Sequence, residues 1–250
     1  MWNNVVEEKI KISDIPTLVL KPKDGVELLP TIIFYHGWSS NKDLQRFRGS
    51  ILASLGFQVI IPDAIYHGER KPLSKYGAEN SSKYFWDVIL QNIEESSVII
   101  GFLIDNEMAD EKRIGITGHS MGGFTAAGIF THNEKINSLV VMNGSLNWGY
   151  SNKIFKEALN ITEDFGREGK LIQGLDPMNN FDSLKNRPIL ILHGEADPVV
   201  NINPQRLFYN EILPLYNNLE GIRLIEYPGL GHFVTTNMME AAAKWFKKFT

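Results

Sequence analysis

Short apolar runs recur along the chain and alternate with stretches whose apolar residues have helical spacing. Five of these runs are continuous and rich in β-branched residues, and they lie at 31–35, 58–61, 114–117, 139–142 and 189–192. Continuous runs of this kind are typical of parallel strands that helices cover on both faces. A sixth run, Ile222–Tyr227, alternates apolar and polar residues, which favours a position nearer the edge of the sheet.

The stretches between these runs predict helices. Their apolar spacing places helices at 44–55, 84–103, 124–130, 206–219 and 238–249. Before the first run, residues 6–12 and 17–20 alternate around the pair Ser13-Asp14, which predicts two antiparallel strands. Strands that alternate with helices imply βαβ crossovers. We therefore predict an α/β protein whose mostly parallel sheet has eight strands, with helices on both faces.

The stretch from about 145 to about 186 departs from this alternation because it contains no buried-strand run. Large apolar residues stand there among charges: Trp148, Tyr150, Phe155, Phe165, Met178 and Phe181. We interpret this stretch as a small cap-like insertion of short helices that lie over the active edge of the sheet. No repeat, low-complexity tract or linker interrupts the rest of the chain, so we predict a single domain over residues 1–250.

Composition narrows the function classes. Hydrophobic residues make up 43% and charged residues 22% of the chain, which suits a globular domain with its own core. A net charge of −4 without a Lys/Arg cluster argues against nucleic-acid partners. The absence of cysteine excludes disulfides, thiolate metal sites and a cysteine nucleophile. The sequence shows no signal peptide and no run near the roughly 20 apolar residues of a membrane span, so we expect a cytoplasmic protein without a membrane partner. Composition leaves the oligomeric state open.

The candidate chemistry centres on Ser120, in the run Gly118-His119-Ser120-Met121-Gly122. A predicted buried strand leads into this run, and the start of a helix rich in small residues follows it. A strand-to-helix turn of this type holds a nucleophilic serine in a strained conformation with its hydroxyl exposed. We predict that Ser120 is the nucleophile; the alternative is an ordinary βα turn that contains a serine.

A serine nucleophile needs a base and an acid. His232 stands in a loop between the last predicted strand and the last helix, and we predict that it is the base. Asp197 follows the strand at 189–192 and is the predicted acid, with Glu195 as the competing carboxylate. The order serine, aspartate, histidine is that of α/β-hydrolases, and the carboxyl ends of parallel strands share one edge of the sheet. The alternatives are a surface-loop histidine and a turn-forming aspartate.

Acyl transfer also requires an oxyanion hole made of N–H donors. The backbone N–H of Met121, directly after the nucleophile, is the first candidate. The second is the backbone N–H of Trp38, because His36-Gly37-Trp38 follows the strand at 31–35. The Trp38 indole is then expected to face the acyl pocket as a substrate-binding residue; alternatively, Trp38 only packs.

Aromatic residues are more often core than pocket, but four are candidates for the wall of the substrate pocket. They are Phe85, Trp86, Tyr150 and, as a further substrate-binding residue, Trp148.

Asp63 and His67 either line the entrance of the pocket, bind an ion or, as we favour, hold their own loop. His36 and His193 each precede a glycine at a strand end and are interpreted as turn-stabilising, and His119 as hydrogen-bonded within its turn. No histidine or carboxylate pair has metal-ligand spacing, so no metal site is predicted.

Five segments carry a resemblance to a known family, and they lie at 35–38, 62–70, 118–123, 193–197 and 231–233. The chain resembles a serine esterase of the α/β-hydrolase superfamily, and it is similar to bacterial carboxylesterases near dienelactone hydrolase and the prolyl oligopeptidase catalytic domain. The resemblance implies the α/β-hydrolase fold, a Ser120–Asp197–His232 triad and an oxyanion N–H at Trp38. It does not extend to the cysteine of dienelactone hydrolase or to the propeller domain of the oligopeptidases, so a peptide substrate has little support.

These observations predict a serine carboxylesterase that acts on a small-molecule ester, of the short-chain or aryl type, through an acyl-enzyme and without a cofactor. The same triad also serves thioesterases, amidases and peptidases, which the sequence does not separate from esterases. A non-catalytic ligand-binding protein of the same fold is the remaining alternative, although such proteins usually lack a triad residue and all three are present here.

Overall fold

The structure, a computed structural model, describes residues 4–24, 28–159 and 166–250, and these residues form an eight-stranded sheet. The strands are β1 (Val5–Ile12), β2 (Ile15–Pro22), β3 (Thr31–Tyr35), β4 (Gln58–Pro62), β5 (Ile114–His119), β6 (Ser138–Met142), β7 (Ile189–Gly194) and β8 (Ile222–Tyr227). Their order across the sheet is β1-β2-β4-β3-β5-β6-β7-β8. The pairs β1/β2 and β2/β4 are antiparallel and the other pairs are parallel.

Helices cover the sheet and connect its parallel strands. They are α1 (Arg46–Ser54), α2 (Ala78–Asp105), α3 (Met121–His132), α4 (Trp148–Leu159), α5 (Gly166–Leu175), α6 (Phe181–Leu184), α7 (Asn203–Ile212) and α8 (Thr236–Phe249). Among the helices of the described residues, none combines the length and the apolar character that crossing a membrane requires.

Alternate residues of the central strands enter two separate cores. In β3, Ile32 and Phe34 pack with α1 and α8 on one face of the sheet, whereas Ile33 and Tyr35 pack with α2, α3 and α7 on the other face. Because both faces of such a strand are covered, all of its residues can be apolar. This arrangement explains the continuous apolar runs and confirms the predicted fold class. The alternating strand, β8, lies at one edge of the sheet, as predicted.

The prediction of one helix over 206–219 is wrong at its C-terminal end. α7 ends at Ile212, and a 3₁₀ turn follows at Leu213–Leu215, because Pro214 has no N–H to donate to the preceding helical turn. α2 is instead longer than predicted, since it begins at Ala78, upstream of the predicted start.

Short helices occupy the predicted insertion, as expected, because α4, α5 and α6 all lie between β6 and β7. The start of α4 is fixed by Asp176, whose carboxylate accepts hydrogen bonds from the N–H groups of Trp148 (3.0 Å) and Gly149 (2.9 Å). This buried carboxylate satisfies two of the N–H groups that a helix start leaves free. Residues 160–165, which include the predicted aromatic residue Phe165, lie outside the described residues.

Candidate active site

Ser120 lies in the turn that joins β5 to α3, and its backbone is strained. Its φ is 57° and its ψ is −124°, a combination that residues with a side chain rarely adopt. Its N–H donates to the carbonyl of Met142 at the end of β6 (3.0 Å), and α3 begins at the next residue, Met121. Ser120 is 9% exposed. The strained strand-to-helix turn that was predicted for the nucleophile is therefore present.

Two glycines allow this turn to close. A Cβ atom on Gly118 would lie 2.0 Å from the carbonyl oxygen of Gly122, and a Cβ atom on Gly122 would lie 2.1 Å from that of Tyr35. A side chain at either position would collide with backbone, so only glycine lets α3 start directly against the ends of β3 and β5. This close approach places the positive end of the α3 dipole at Ser120.

A hydrogen bond joins His232 to Asp197, with His232 Nδ1 2.7 Å from Asp197 Oδ2. Asp197 Oδ1 accepts hydrogen bonds from the N–H groups of Val199 (2.8 Å) and Val200 (3.0 Å). The Asp197 side chain is fully buried, whereas that of His232 is 17% exposed. Because an ionised carboxylate can only accept, the proton of neutral His232 lies on Nδ1. Nε2 is then the basic nitrogen.

The surroundings of Asp197 stabilise its negative charge. Burial alone raises the pKa of this carboxyl, but the hydrogen bonds from His232, Val200 and Val199 outweigh burial and lower the pKa below its usual value. The competing carboxylate, Glu195, belongs to an exposed residue. The structure therefore pairs His232 with Asp197.

His119 connects His232 to the Ser120 turn. The rings of His119 and His232 face each other with their centroids 4.8 Å apart, and His119 directly precedes Ser120. Burial lowers the pKa of His119 to about 3, and the neighbouring His232 adds to this effect, so His119 stays neutral beside His232. The expected hydrogen bond within the turn is not found: His119 Nε2 is buried without a hydrogen-bond partner among the described residues.

The loop after β3 lies against Ser120, since a Cβ atom on Gly37 would come within 3.3 Å of the Ser120 Cβ. The Gly37 carbonyl accepts hydrogen bonds from His36 Nδ1 (2.9 Å) and from a backbone N–H later in the turn (3.2 Å). Because the peptide bond is trans, the N–H of Trp38 points away from that carbonyl. The N–H of Met121, in the first turn of α3, has no acceptor within the helix. Both predicted oxyanion donors therefore belong to segments that touch Ser120.

The Trp38 indole is half-buried in an aromatic cluster. Its ring lies edge-on to those of His67 and Tyr76, at centroid distances of 5.1 and 5.4 Å, and its Nε1 donates to the carbonyl of Tyr76 (2.9 Å). Phe85 follows at 6.3 Å. The side chain of Trp38 is thus held by packing and by this hydrogen bond, and its contact with substrate stays a prediction, as does the role of its backbone N–H as an oxyanion donor.

Trp148 is not placed to bind substrate. It is completely buried, its ring lies 5.1 Å from that of Trp86, and its Nε1 donates to the carbonyl of Ser145 (3.1 Å). The prediction of Trp148 as a substrate-binding residue is therefore wrong, because a side chain without exposed surface cannot contact a ligand. Trp86 belongs to the same buried cluster, whereas Phe85 and Tyr150 keep some exposed surface.

Asp63 and His67 hold their own loop, as favoured above. The Asp63 carboxylate accepts hydrogen bonds from Lys42 Nζ (2.8 Å), Lys42 N (2.9 Å) and Glu69 N (3.0 Å). His67 is fully buried, and its Nδ1 bonds to the carbonyl of Ile65 (2.8 Å). Within the part of the chain that the structure describes, no group of three or more histidines and carboxylates is placed to hold a metal ion.

Two further histidines stabilise turns, as predicted. His36 Nε2 accepts a hydrogen bond from the N–H of Ala64 (3.0 Å), which ties the loop after β3 to the loop after β4. Burial lowers the pKa of His36 to about 4, and the nearby His67 contributes to the shift. His193 Nε2 donates to the carbonyl of Val200 (2.8 Å), which fixes the loop that carries Asp197.

Sequence pattern did not single out two buried polar residues at this edge, Lys42 and Asn143. Lys42 is the ion-pair partner of Asp63. Asn143 follows β6, and its side chain bonds to Gly194 N (2.9 Å) and to the carbonyl of Phe233 (3.0 Å). A polar residue directly after a buried strand, at the same edge of the sheet as Ser120, is the sequence signal that Asn143 offers.

Comparison with known proteins identifies relatives of this chain and structures of the same fold. The protein "Putative esterase YitV" of Bacillus subtilis (strain 168) is 29% identical over 255 aligned residues, which cover 97% of this chain and 98% of that protein. "Esterase YjfP" of Escherichia coli (strain K12) is 27% identical over 250 residues, with coverages of 96% and 98%. The solved structure titled "Putative Dienelactone Hydrolase from Klebsiella pneumoniae" shares the fold, with a TM-score of 0.75, 17% identity and coverages of 99% and 100%.

The sequence profile described as "Prolyl oligopeptidase family" matches residues 45–250, well over half of the chain. The α/β-hydrolase fold and the strained serine turn accompany that match. The chain is therefore a serine hydrolase and belongs to the prolyl oligopeptidase family.

Proposed function

We propose that this serine hydrolase is a carboxylesterase that hydrolyses short-chain or aryl esters with the triad Ser120–His232–Asp197. The observation that carries the proposal is the 2.7 Å hydrogen bond between His232 and Asp197, at the edge of the sheet where Ser120 occupies its strained turn. The ring contact between His119 and His232 supports the approach of the base to the nucleophile. The partner is a small-molecule ester, and the chemistry needs no cofactor.

In the proposed reaction, Ser120 Oγ attacks the ester carbonyl carbon while His232 Nε2 accepts the hydroxyl proton. The buried Asp197 carboxylate stabilises the imidazolium that forms. His232 then returns the proton to the leaving alcohol as the ester C–O bond breaks, and the acyl group stays on Ser120. A water molecule that gives a proton to His232 attacks the acyl-enzyme, which releases the acid and restores the serine hydroxyl.

Each tetrahedral intermediate carries negative charge on the former carbonyl oxygen, and we assign its binding to the N–H groups of Met121 and Trp38. The Met121 N–H lies at the start of α3, where the helix dipole adds positive potential. The Trp38 N–H is held by the turn that His36 fastens to Ala64. Removing one such donor typically slows an enzyme by about 10²–10³-fold.

The names of two relatives favour ester substrates, since both are called esterases and both match over nearly their whole length. The limit to short-chain or aryl esters follows from the modest insertion between β6 and β7. The family description favours a second candidate, hydrolysis of peptide or other amide bonds by the same triad. An ester, a thioester and an amide of one acyl group compare these activities directly: we expect the ester to have the highest kcat/KM, and a faster amide would favour the second candidate.

Replacement of the nucleophile tests the proposal. Ser120→Ala is expected to lower the turnover of p-nitrophenyl acetate by at least about 10⁴-fold, because the triad acts as a unit, and to abolish labelling by a fluorophosphonate. Ser97→Ala, on the exposed side of α2, is the control and should keep both activities. A folded Ser120→Ala variant with full turnover would overturn the assignment, and a wild-type protein that neither turns over nor reacts would favour a ligand-binding protein.

A further inference from the structure

Asn143 occupies a backbone conformation that few residues accept. It is the first residue after β6, its φ is 45°, and it is completely buried. Left-handed backbone is unfavourable for most residues, and asparagine is among the side chains that enter it most readily. The chain therefore turns sharply at this point, in the middle of the edge that carries the triad.

The turn at Met142–Asn143 contacts the loops of all three triad residues. The Met142 carbonyl accepts a hydrogen bond from the N–H of Ser120 (3.0 Å). Asn143 Oδ1 accepts from the N–H of Gly194 (2.9 Å), at the start of the loop that carries Asp197. Asn143 Nδ2 donates to the carbonyl of Phe233 (3.0 Å), the residue after His232.

We propose that Asn143 is a positioning residue that sets the distance between the Ser120 turn and the Asp197–His232 pair. The inference rests on the proposed function, since it concerns the geometry of the same triad. Ser120 is anchored on β5, Asp197 follows β7 and His232 follows β8, so no single strand holds the three side chains together. The turn after β6 lies between them and bonds to each loop. A displacement of about 1 Å in such a constellation costs on the order of 10²-fold in rate.

Asparagine supplies everything that this position uses. The loop of Asp197 needs an acceptor, the carbonyl of Phe233 needs a donor, and the backbone needs a residue that tolerates a positive φ. Aspartate keeps the acceptor and tolerates the φ, but an ionised carboxylate has no donor. Glycine keeps only the φ. Asn143→Asp therefore removes the donor alone, whereas Asn143→Gly removes both the donor and the acceptor.

The chain offers a matched control in Asn186. It also has a left-handed backbone, with φ of 62°, and its Oδ1 accepts a hydrogen bond from the N–H of Asn217 (2.8 Å). It precedes β7, whereas Asn143 follows β6, so the two asparagines lie at opposite ends of parallel strands. Replacing Asn186 by glycine removes a similar hydrogen bond without touching the triad loops.

The experiment compares Asn143→Gly, Asn143→Asp and Asn186→Gly with the wild type. The measurements are kcat and KM for p-nitrophenyl acetate, the rate of fluorophosphonate labelling, and Tm. For Asn143→Gly we expect kcat and the labelling rate to fall together by about 10²-fold, with KM changed less than threefold. For Asn143→Asp we also expect both rates to fall, because the carboxylate keeps the acceptor for the N–H of Gly194 but repels the carbonyl of Phe233. Asn186→Gly should keep kcat while losing Tm.

Several outcomes would overturn this role. A folded Asn143→Gly variant with wild-type kcat and labelling rate would do so, and so would an Asn186→Gly variant that loses as much kcat for the same loss of Tm. If Asn143→Gly does not fold, an Asn143→Asp variant with unchanged kcat would equally contradict the role of Asn143. If the wild-type protein neither hydrolyses p-nitrophenyl acetate nor is labelled, the proposed function fails and the role of Asn143 fails with it. If the wild type is active and Asn143→Gly is equally active, only the role of Asn143 is contradicted.

Discussion

Asp63 and Asp197 have the same hydrogen-bond pattern, yet their partners differ. Each has a fully buried side chain whose carboxylate accepts two backbone N–H groups and one side-chain N–H. The side-chain donor to Asp63 is Lys42 Nζ, at 2.8 Å, and the donor to Asp197 is His232 Nδ1, at 2.7 Å. We name the pair Lys42–Asp63 the lysine site and the pair His232–Asp197 the histidine site.

The donor determines what each site can do. Burial opposes the charge of Lys42, but hydrogen bonds to Asp63 and Glu69 raise its pKa above the usual value, so the lysine site keeps its proton and holds its loop in place. His232 has a second ring nitrogen and 17% exposed surface, so the histidine site can accept a proton at Nε2 and release it. Similar buried aspartates thus serve a structural role at one strand end and, as we propose, a catalytic role at another.

The same substitution at the two aspartates tests this comparison, and the largest effect is expected at the histidine site. Asp197→Asn keeps the shape of the side chain but removes the charge that stabilises the imidazolium, and its amide favours the wrong tautomer of His232. We expect kcat for p-nitrophenyl acetate to fall by about 10⁴-fold, whereas binding of the substrate changes little. A loss of less than tenfold would show that another group orients the base.

Asp63→Asn is expected to act on stability instead. It leaves the Lys42 ammonium buried without its main counter-charge, and breaking a buried ion pair from one side typically destabilises a protein by about 3 kcal/mol. Urea unfolding measures this loss, and kcat per folded molecule is expected to change less than tenfold. If kcat collapsed while the free energy of unfolding stayed constant, Asp63 would belong to the reacting site and the two aspartates would not differ in role.

The fold follows from local pattern because the sheet is covered on both faces. In β3, every residue from Thr31 to Tyr35 is buried, and such a run stands out in the sequence. Helix ends depend on less visible features. The first residues of α2, 78–83, are mostly polar and exposed and show no apolar face, so spacing alone does not reveal that the helix already includes them.

The candidate site was predictable where a residue has a local signature or a place in the triad order, and unpredictable where its role depends on a contact that neither of these patterns records. Ser120 stands between glycines after a buried strand, which is a local signature. Asn143 bonds to Phe233, 90 residues away along the chain, and no sequence pattern records that contact. The prediction for Trp148 fails for a related reason, because the sequence does not distinguish an aromatic residue that lines a pocket from one that, as here, is completely buried against Trp86.

The smallest expected effect is on the pH dependence of the free energy of unfolding, and it comes from a histidine near the lysine site. His36 is buried and bonds to the N–H of Ala64; burial lowers its pKa to about 4, whereas an unfolded histidine titrates near ~6.5. Between these values the unfolded chain binds more protons than the folded chain, so stability is lost as the pH falls from about 6.5 towards 4. His36→Gln, whose amide oxygen can accept the same N–H, is expected to lose less stability over this interval.

Urea unfolding at pH 7 and pH 5 compares the two proteins in a pH interval to which Asp197 does not contribute. The lowered pKa of Asp197 contributes stability above the unfolded aspartate value of about 3.9, and this stability is lost only when the pH falls through the lower folded value. The change between pH 7 and pH 5 therefore reports groups such as His36. An equal loss in wild type and His36→Gln would mean that His36 is protonated in the folded protein, which the hydrogen bond from Ala64 to Nε2 does not allow.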